Sequence, residues 1–430
     1  MQEVDVSGAK VAGVTYRADD EAGEPAVEAW PVAVAEPQLS FDRSLTLREA
    51  IHRALRYSPS LQAAALEVEA KHGEAVQAAV RPNPQASLEL ENFGGTGNFD
   101  GFASAEETLA ISQLIELGGK RYKRLAVAEL DRDVSAWDYE ARRLQVTRET
   151  AEAFIDVLAT QQAITRSKEA NRIARELERD VKARVDAGSV SPIEIQRTRP
   201  IVANTLVRLQ AEQARLEPAK RRLASMWGAS MLDFGRVAGR FSIRTELPPV
   251  DQILSDLAGN PQIARWSDEI ARRGAFVALQ FAKAVPDVTL GAGVRRLNDT
   301  DDTAIVASAS VALPLFDRNA GNIQAAESRL AKADFERGAT AASLRSVILQ
   351  TYGDLAAAAA EVRALSGSVV PPARAAYRAV QTSYQAGESN LLAVLDARRV
   401  LFDAQLNLID AQAKFEKAKV RIEGLIGRKI

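Results

Sequence analysis

The strongest constraint on the fold is an internal repeat that divides the chain into two related halves. The first half begins with LTLREAIHRALRYSPSLQAA, followed by RPNPQASLELENF, and the second contains LPPVDQILSDLAGNPQIARW, followed by AVPDVTLGAGVRR. Pro59 precedes Pro84 by 25 residues, the interval that also separates Pro261 from Pro286. Because self-similarity at this scale restricts the architecture more than a local motif does, we expect two copies of one structural unit.

Each half contains two runs in which apolar and polar residues alternate, the period-2 pattern of a β-strand with unlike faces. The runs lie at about 84–116 and about 286–315, which predicts one β-hairpin in each half. The connections contain GGTGNFDGFAS and LNDTDD, which are rich in turn-forming residues. Each run has about 8 to 11 residues, enough for a tilted strand to cross a bilayer.

A long helical pattern follows each hairpin, at about 120–227 and about 320–427, with glycine-containing breaks near Gly188 and Gly387. Glycine and proline are few, 25 and 16 in 430 residues, which favours helix. Ala and Leu at heptad-like positions indicate lateral packing as coiled coils. We expect kinks or interruptions at the prolines within these helices: Pro200, Pro218, Pro371 and Pro372.

These patterns predict three segments: an irregular N-terminal arm at 1–44, a first repeat at 45–240 and a second repeat at 241–430. The arm contains three prolines, an acidic cluster and little periodicity. Its start has neither the basic residues nor the apolar stretch of a secretory signal peptide. Either the protein is cytosolic or its signal has been removed, and the architecture below leads us to expect a signal peptide in the precursor.

Composition excludes several kinds of function. The chain has no cysteine and two histidines, His52 and His72, which lack a metal-ligand spacing, so we expect no cofactor and no metal site. A net charge of −2 argues against a nucleic-acid partner. No run of about 18 apolar residues predicts a membrane-spanning helix.

The number of strands constrains how this chain can enter a membrane. Four strands cannot close a transmembrane barrel, because the smallest such barrels have about 8 strands. An open sheet edge in lipid would leave backbone groups without hydrogen-bond partners. If the strands enter a membrane, the chain must therefore oligomerise, and three copies supply about 12 strands with a matching ring of helices.

Four motifs in order, SLTLREAIHRALRYSPSLQAA, ISQLIELGGKRYKR, VALPLFDRNAGNIQAAE and SYQAGESNLLAVLDARRVLFDAQ, closely resemble those of the TolC-like outer-membrane efflux factor family. The SQLIELGGKR form is most similar to the CzcC-like heavy-metal efflux branch. The resemblance covers about 41–428 and implies a mainly α protein with a transmembrane β-barrel. It implies a homotrimer with a 12-stranded barrel in the outer membrane and an α-helical barrel extending through the periplasm.

The resemblance also implies a function. The chain would be the outer-membrane channel of a tripartite resistance-nodulation-division (RND) efflux system that exports heavy-metal cations of the cobalt, zinc, cadmium, nickel or copper type. Its partners would be a periplasmic adaptor (membrane fusion) protein, an inner-membrane RND pump and outer-membrane lipid. It would be a passive gated conduit and not an enzyme, since the pump uses the proton gradient.

The resemblance places the gate where helix pairs turn at the periplasmic tip. There Asp396 matches an inner Asp of the family, Glu194 matches an acidic partner in the first-half turn, and Tyr384 matches a gate-latching Tyr. Rings of carboxylates on a symmetry axis attract cations. Two positions depart from the family: Ala393 replaces an outer Asp, and Ser389 replaces an Arg, so we expect the closed state to be held differently.

The tips of the same turns are the expected docking points for the adaptor. The residues concerned are Gly188, Ser191, Gly387 and Asn390. The two glycines suit the left-handed geometry of a helix-to-helix turn. The carboxylates of Asp396 and Glu194 have a competing interpretation as solvated charges on a helix face.

Competing interpretations also exist for the whole chain and for two local motifs. A periplasmic adaptor or a coiled-coil scaffold would also contain long helices, but neither predicts two repeats of a hairpin followed by helices. For ELGGKR we favour a structural role at a strand-to-helix junction over contact with ions. Aromatic residues near the strand ends are consistent with aromatic girdles at the membrane surfaces, although packing within a loop explains Phe99 and Phe102 equally well.

Overall fold

The computed structural model describes residues 44–242 and 245–428, which are mainly helical as the sequence predicts. The predicted N-terminal arm, apart from Ser44, lies outside these residues. Within the described ranges, no helix combines the length and the apolar character needed to cross a lipid bilayer.

The helices and strands follow each other in an order that occurs twice. In chain order they are β1 (Ser44–Thr46), α1 (Leu47–Tyr57), α2 (Pro59–Ala78), β2 (Gln85–Glu91), β3 (Glu106–Ile115), α3 (Lys120–Asp186), α4 (Ile193–Ser225), β4 (Arg236–Ala238), α5 (Val250–Asp256), α6 (Pro261–Lys283), β5 (Val288–Leu297), β6 (Asp302–Val311), α7 (Ala320–Ala364), α8 (Val370–Gln385) and α9 (Leu391–Ile426). At 1.5 Å per residue, the 67 residues of α3 span about 100 Å.

Two shorter helices precede each hairpin: α1 and α2 in the first half, and α5 and α6 in the second. The sequence patterns for the long helices do not include them. Pro59 and Pro261 are the first residues of α2 and α6, where the missing N–H has no helical partner to lose. The side chain of Asn260 caps α6 by accepting a hydrogen bond of 2.7 Å from the backbone N–H of Gln262. Pro59 and Pro261 therefore mark equivalent helix starts in the two halves.

Prolines inside the long helices behave differently in the two halves. Helix α4 continues through Pro200 and Pro218, so the predicted interruption there is wrong. Helix α4 packs along α3 near both prolines: Asn171 on α3 donates to the carbonyl oxygen of Val202, and Leu223 and Ala224 are buried with residues of α3. In the second half, a π-helical turn at Leu365–Val369 separates α7 from α8, directly before Pro371 and Pro372.

The two hairpins form one antiparallel sheet in the order β2, β3, β5, β6. Strand β3 pairs with β5 along its whole length, from Glu106 opposite Leu297 to Ile115 opposite Val288. Strands β2 and β6 are the edges, and each has one neighbour in this sheet among the described residues. The junction between the halves is therefore a β3–β5 pairing that spans more than 170 residues of chain.

The two faces of the sheet differ in polarity, as the alternation predicts. On one face Leu88 lies opposite Leu109, and Val294 lies opposite Ile305, whose side chain is 88% exposed. The other face carries polar side chains, with Glu89, Thr108 and Arg295 in one cross-strand row. The face that would meet lipid is therefore apolar, and the opposite face is hydrophilic.

A second, smaller sheet closes the first half. Strand β1 pairs in parallel with β4, with Leu45 opposite Val237. Leu45, Phe154, Leu223 and Trp227 belong to one buried cluster beside this sheet. The pairing brings the two ends of the first half together, although neither strand shows a periodic signal in the sequence.

Candidate gate and strand-to-helix junction

The two long helix pairs end in turns that pack against each other. This part of the described structure contains only helices and turns. Its buried contacts come from α3, α8 and α9. The buried residues of this tip cluster are Val181, Tyr384, Leu391 and Val394. Partly buried residues around them include Leu177, Val185, Ile195, Tyr377, Val380 and Leu395. The segments that the resemblance assigns to a gate therefore lie side by side.

The four predicted docking residues shape the turns. Gly188 and Gly387 have φ of +72° and +82°, a conformation that side chains disfavour. The side chain of Asn390 caps α9 by accepting a hydrogen bond of 2.9 Å from the N–H of Ala393. Ser191 Oγ accepts a weaker bond of 3.4 Å from the N–H of Ile193. Contact of these residues with an adaptor stays a prediction.

Tyr384 is held inside the tip cluster and is only 8% exposed. The guanidinium of Arg184, on α3, lies 4.6 Å from the centre of the Tyr384 ring, a distance that allows a cation–π interaction. Burial raises the pKa of the Tyr384 phenol, and the carboxylates of Glu194 and Asp180 act in the same direction, while Arg184 opposes them. Tyr384 therefore joins α8 to α3 as a neutral side chain.

The two carboxylates predicted for the gate each pair with an arginine on their own helix. Arg399 donates to Asp396 over 2.8 Å, and both side chains are exposed. Arg197 donates to one oxygen of Glu194 over 3.0 Å. The other oxygen of Glu194 is buried and has no hydrogen-bond partner in the described part of the chain. Glu194 also lies near enough to Tyr384 to act on its pKa, whereas the side chain of Asp396 is exposed on α9.

Ser389 does not form a side-chain latch among the described residues. Its backbone N–H donates to the carbonyl oxygen of Ser383 over 3.3 Å, within the α8–α9 turn. The neighbouring Glu388 also donates from its backbone N–H to Ser383, over 2.9 Å. The role of Ser389 in a gate stays a prediction, as do the roles of Asp396, Glu194 and Tyr384.

Sequence reasoning missed one residue at this end of the molecule, Arg398. Its guanidinium is buried between α9 and α3 and donates to the backbone carbonyl oxygen of Ala170. Burial lowers the pKa of Arg398. A signal was present, since Leu391, Val394 and Arg398 follow the spacing of one helix face and the first two are apolar. An arginine on the apolar face of a helix indicates a buried guanidinium group.

The ELGGKR motif forms the junction between sheet and helices. Arg124 pairs with Glu116 over 2.7 Å and also donates from Nε to the carbonyl oxygen of Ala78, at the end of α2. Lys120 pairs with Asp287 over 2.7 Å. These contacts support the structural interpretation of Glu116 and Lys120, because both charges join neighbouring segments.

Gly118 allows this junction to be compact. Its φ is +70°, and a Cβ atom there would lie 3.1 Å from Cβ of Val285 and 3.2 Å from the carbonyl oxygen of Ala282. The backbone N–H of Leu117 donates to Asp287 over 2.9 Å. The turn between β3 and α3 therefore packs directly on the segment between α6 and β5.

Aromatic residues lie at both ends of the sheet. Phe93 and Phe102 stack in the β2–β3 loop with ring centres 5.8 Å apart, which supports loop packing for Phe102. At the helix end, Phe316 is fully exposed and Tyr122 is 67% exposed. Among residues 44–242 and 245–428, no group of three or more His, Cys, Asp or Glu is arranged to hold a metal ion.

Comparison with known proteins agrees with this geometry. The family model described as outer membrane efflux protein matches residues 50–229 and 254–428. The chain is 28% identical over 411 residues to the cobalt-zinc-cadmium resistance protein CzcC of Cupriavidus metallidurans, covering 96% of this chain and 95% of that protein. It is 30% identical over 291 residues to the nickel and cobalt resistance protein CnrC of the same organism, covering 66% and 67%.

A solved structure shows the same fold. The outer membrane protein VceC of Vibrio cholerae superposes with a TM-score of 0.71 at 19% identity, covering 89% of this chain and 96% of that one. Members of the matching family are trimeric outer-membrane channels that work with an adaptor and an inner-membrane pump. The chain belongs to the outer membrane efflux protein family, and it is a transport conduit of the outer membrane rather than an enzyme.

Proposed function

We propose that the chain is the channel of a tripartite RND system that exports heavy-metal cations of the cobalt, zinc, cadmium, nickel or copper type. The main support is the match over 96% of the chain to a protein named for cobalt, zinc and cadmium resistance. CnrC, named for nickel and cobalt resistance, supports the same class of cargo. A periplasmic adaptor or a coiled-coil scaffold has less support, because the chain combines a four-stranded sheet with two long helix pairs.

The sheet supports a trimer of this chain. Strands β2 and β6 leave two edges, and an edge exposed to lipid would carry unpaired N–H and C=O groups. Pairing β2 of one copy with β6 of the next closes a barrel of about 12 strands when three copies assemble. Light scattering with detergent correction should then give a protein mass near three times 46.5 kDa.

The hydrophilic face of the sheet would line the channel. Arg295 lies between Glu106, at 2.8 Å, and Glu91, at 3.2 Å. Glu89 lies on the same face and adds negative charge, which favours the passage of cations over anions. With no cysteine and few histidines, the tube offers little coordination chemistry, so selection among metals belongs to the pump.

The helix tips would provide the gate and the docking points. Asp396, Glu194, Tyr384 and Ser389 are the proposed gate residues. Gly188, Ser191, Gly387 and Asn390 are the proposed adaptor contacts. The packed tip cluster supports this assignment, because a small movement of α8 and α9 against α3 would displace Tyr384 and Asp396 relative to Glu194 on α4. The division at about residue 240 into two repeats, preceded by the arm at 1–44, is part of the same proposal.

The test is complementation in a bacterium that lacks its own metal-efflux channel but retains the adaptor and the pump. The chain, supplied with a signal peptide, should restore growth in cobalt, zinc, cadmium or nickel salts and lower the metal content of the cells. A chain lacking the tip segment 181–195 serves as the inactive control. Restored resistance to organic toxicants alone would contradict the metal assignment and leave the channel assignment intact.

A further inference from the structure

The two ends of the sheet carry opposite charge. The loop end, residues 91–107 and 295–302, contains seven acidic and two basic residues. The helix end contains seven basic and three acidic residues in 79–84, 116–124, 281–287 and 312–319. We call these four segments the collar. The charge difference is local, since the whole chain has a net charge of only −2.

Ion pairs within the collar use only part of its positive charge. Lys120 pairs with Asp287, and Arg124 pairs with Glu116. The third acid, Asp317, accepts a hydrogen bond of 2.9 Å from the backbone N–H of Asn319. In the part of the chain that the structure describes, the remaining collar cations form no ion pair: Arg81, Arg121, Lys123, Lys283 and Arg318.

Exposed aromatic and aliphatic side chains lie among these cations. Phe316 is two residues from Arg318, and Phe281 is two residues from Lys283. The guanidinium of Arg121 lies 4.7 Å from the centre of the Tyr122 ring. Aromatic rings beside long basic side chains are typical of the boundary between lipid tails and headgroups, where the rings anchor and the charges reach outward.

The collar directly adjoins the apolar face of the sheet. Strand β3 ends at Ile115, β5 begins at Val288, and β6 ends at Val311. The neighbouring collar segments therefore begin or end at the residue next to each of these strand ends. Because the long helices of this family lie in the periplasm, the collar lies at the level of the periplasmic leaflet. Its cations are then at headgroup depth.

We propose that the collar binds the anionic headgroups of phospholipids in the periplasmic leaflet and selects phosphatidylglycerol over zwitterionic lipids. Unpaired ammonium and guanidinium groups attract the phosphate of either lipid, but only the anionic lipid keeps a net negative charge. The acidic loop end repels the same lipid, so the preference is confined to one side of the membrane. This inference goes beyond the proposed function, because it holds whatever cargo the channel carries.

The test measures lipid selectivity directly by electron paramagnetic resonance. The full chain is reconstituted into phosphatidylcholine vesicles that contain spin-labelled phosphatidylglycerol or spin-labelled phosphatidylcholine. The motionally restricted fraction gives the relative association constant of the two labelled lipids. At about 10 mM salt, where the screening length is about 30 Å, we expect an excess of about fivefold for phosphatidylglycerol.

Two variants separate the collar from a general effect of charge. Arg81→Gln, Lys283→Gln and Arg318→Gln together should reduce the excess by about half or more. The matched control is Arg175→Gln, Arg179→Gln and Arg374→Gln, which removes three exposed arginines from α3 and α8. The first two lie about 80 Å along α3 from the collar. The control should retain the wild-type ratio.

Some results would overturn the proposal. A wild-type ratio of about one, or an equal loss in the control variant, would show that the collar does not select lipid. Raising the salt to about 1 M, where screening acts within about 3 Å, should abolish the excess in the wild type. A ratio that persists at this salt concentration would assign the selectivity to apolar packing instead. The salt series needs no variant, so it stands even if the collar variant folds poorly.

Discussion

The guanidinium of Arg398 donates a hydrogen bond to the backbone carbonyl oxygen of Ala170, joining α9 to α3 across 228 residues of sequence. Arg398 is only 7% exposed, and one of its nitrogens, Nη1, has no partner among the described residues. A carbonyl oxygen is a neutral acceptor, so this contact does not depend on the protonation of a carboxylate. The second half of the chain is thereby held against the first, close to the tip cluster.

Replacing Arg398 should loosen this end of the channel. In Arg398→Met the hydrogen bond to Ala170 is lost, and a hydrogen bond to a charged group contributes about 1.5 to 3 kcal/mol. We expect a severalfold higher closed-state conductance in planar bilayers. Arg378→Met, which changes an exposed arginine on α8, is the matched control and should leave the conductance unchanged. Equal conductance in both variants would show that Arg398 does not hold the tip.

The proposed gate carboxylates can be tested as a pair. Asp396→Ala together with Glu194→Ala should raise conductance or weaken block by divalent cations, since two negative charges per chain are removed near the turns. Glu212→Ala with Asp334→Ala is a suitable control, because these acids also pair with an arginine three residues away on their own helices. Unchanged current and cation sensitivity in the first variant would remove both residues from the gate.

Tyr384 should stabilise the tip through its ring more than through its hydroxyl. Tyr384→Phe keeps the buried ring beside Arg184. Hydrogen exchange of the amides around Val181 and Val394 should therefore be as slow as in the wild type. Tyr384→Ala leaves a cavity, which for a buried aromatic residue costs about 3 to 5 kcal/mol, and protection there should fall. Equal protection in all three proteins would contradict a structural role for the ring.

The same residue predicts a pH dependence of tip stability. The folded protein favours the neutral phenol, since burial raises the pKa of Tyr384. The stabilisation is therefore fully present below about pH 10, the pKa of an unfolded tyrosine, and is lost as the pH rises through the folded value. Hydrogen exchange at the tip, corrected for the intrinsic rate, should show this loss in the wild type and not in Tyr384→Phe.

Gly293 should be required for the sheet to form. A Cβ atom there would lie 2.8 Å from Cβ of Ala110 on the neighbouring strand, which is closer than two carbon atoms that are not bonded to each other normally approach. Gly293→Val should cost about 1 to 3 kcal/mol through overpacking and reduce the fraction that folds into vesicles, measured by heat-modifiable electrophoretic mobility. Ala292→Val, which adds bulk to the exposed apolar face of the same strand, should fold as the wild type does.

Local periodicity explains which elements could be predicted. The alternation around Leu88 and Ile305 predicted both hairpins, because in a strand with unlike faces every second side chain must match its environment. The glycines at positions 188 and 387 predicted the tip turns, because their positive φ is a local requirement. Continuation of α4 through Pro200 and Pro218 was not predicted, since packing along α3 outweighed the local preference.

The sequence by itself determined the repeat, the unlike faces of the strands, the long helices and their turns, because each depends on interactions between residues close in the chain. Only the tertiary structure decided that β3 pairs with β5, that β1 pairs with β4 and that Arg398 meets Ala170. These contacts join segments far apart in sequence, and their stability depends on how whole helices pack. Only the tertiary structure likewise showed that, among the described residues, five collar cations form no ion pair, because Lys120 and Arg124 pair with two of the neighbouring acids.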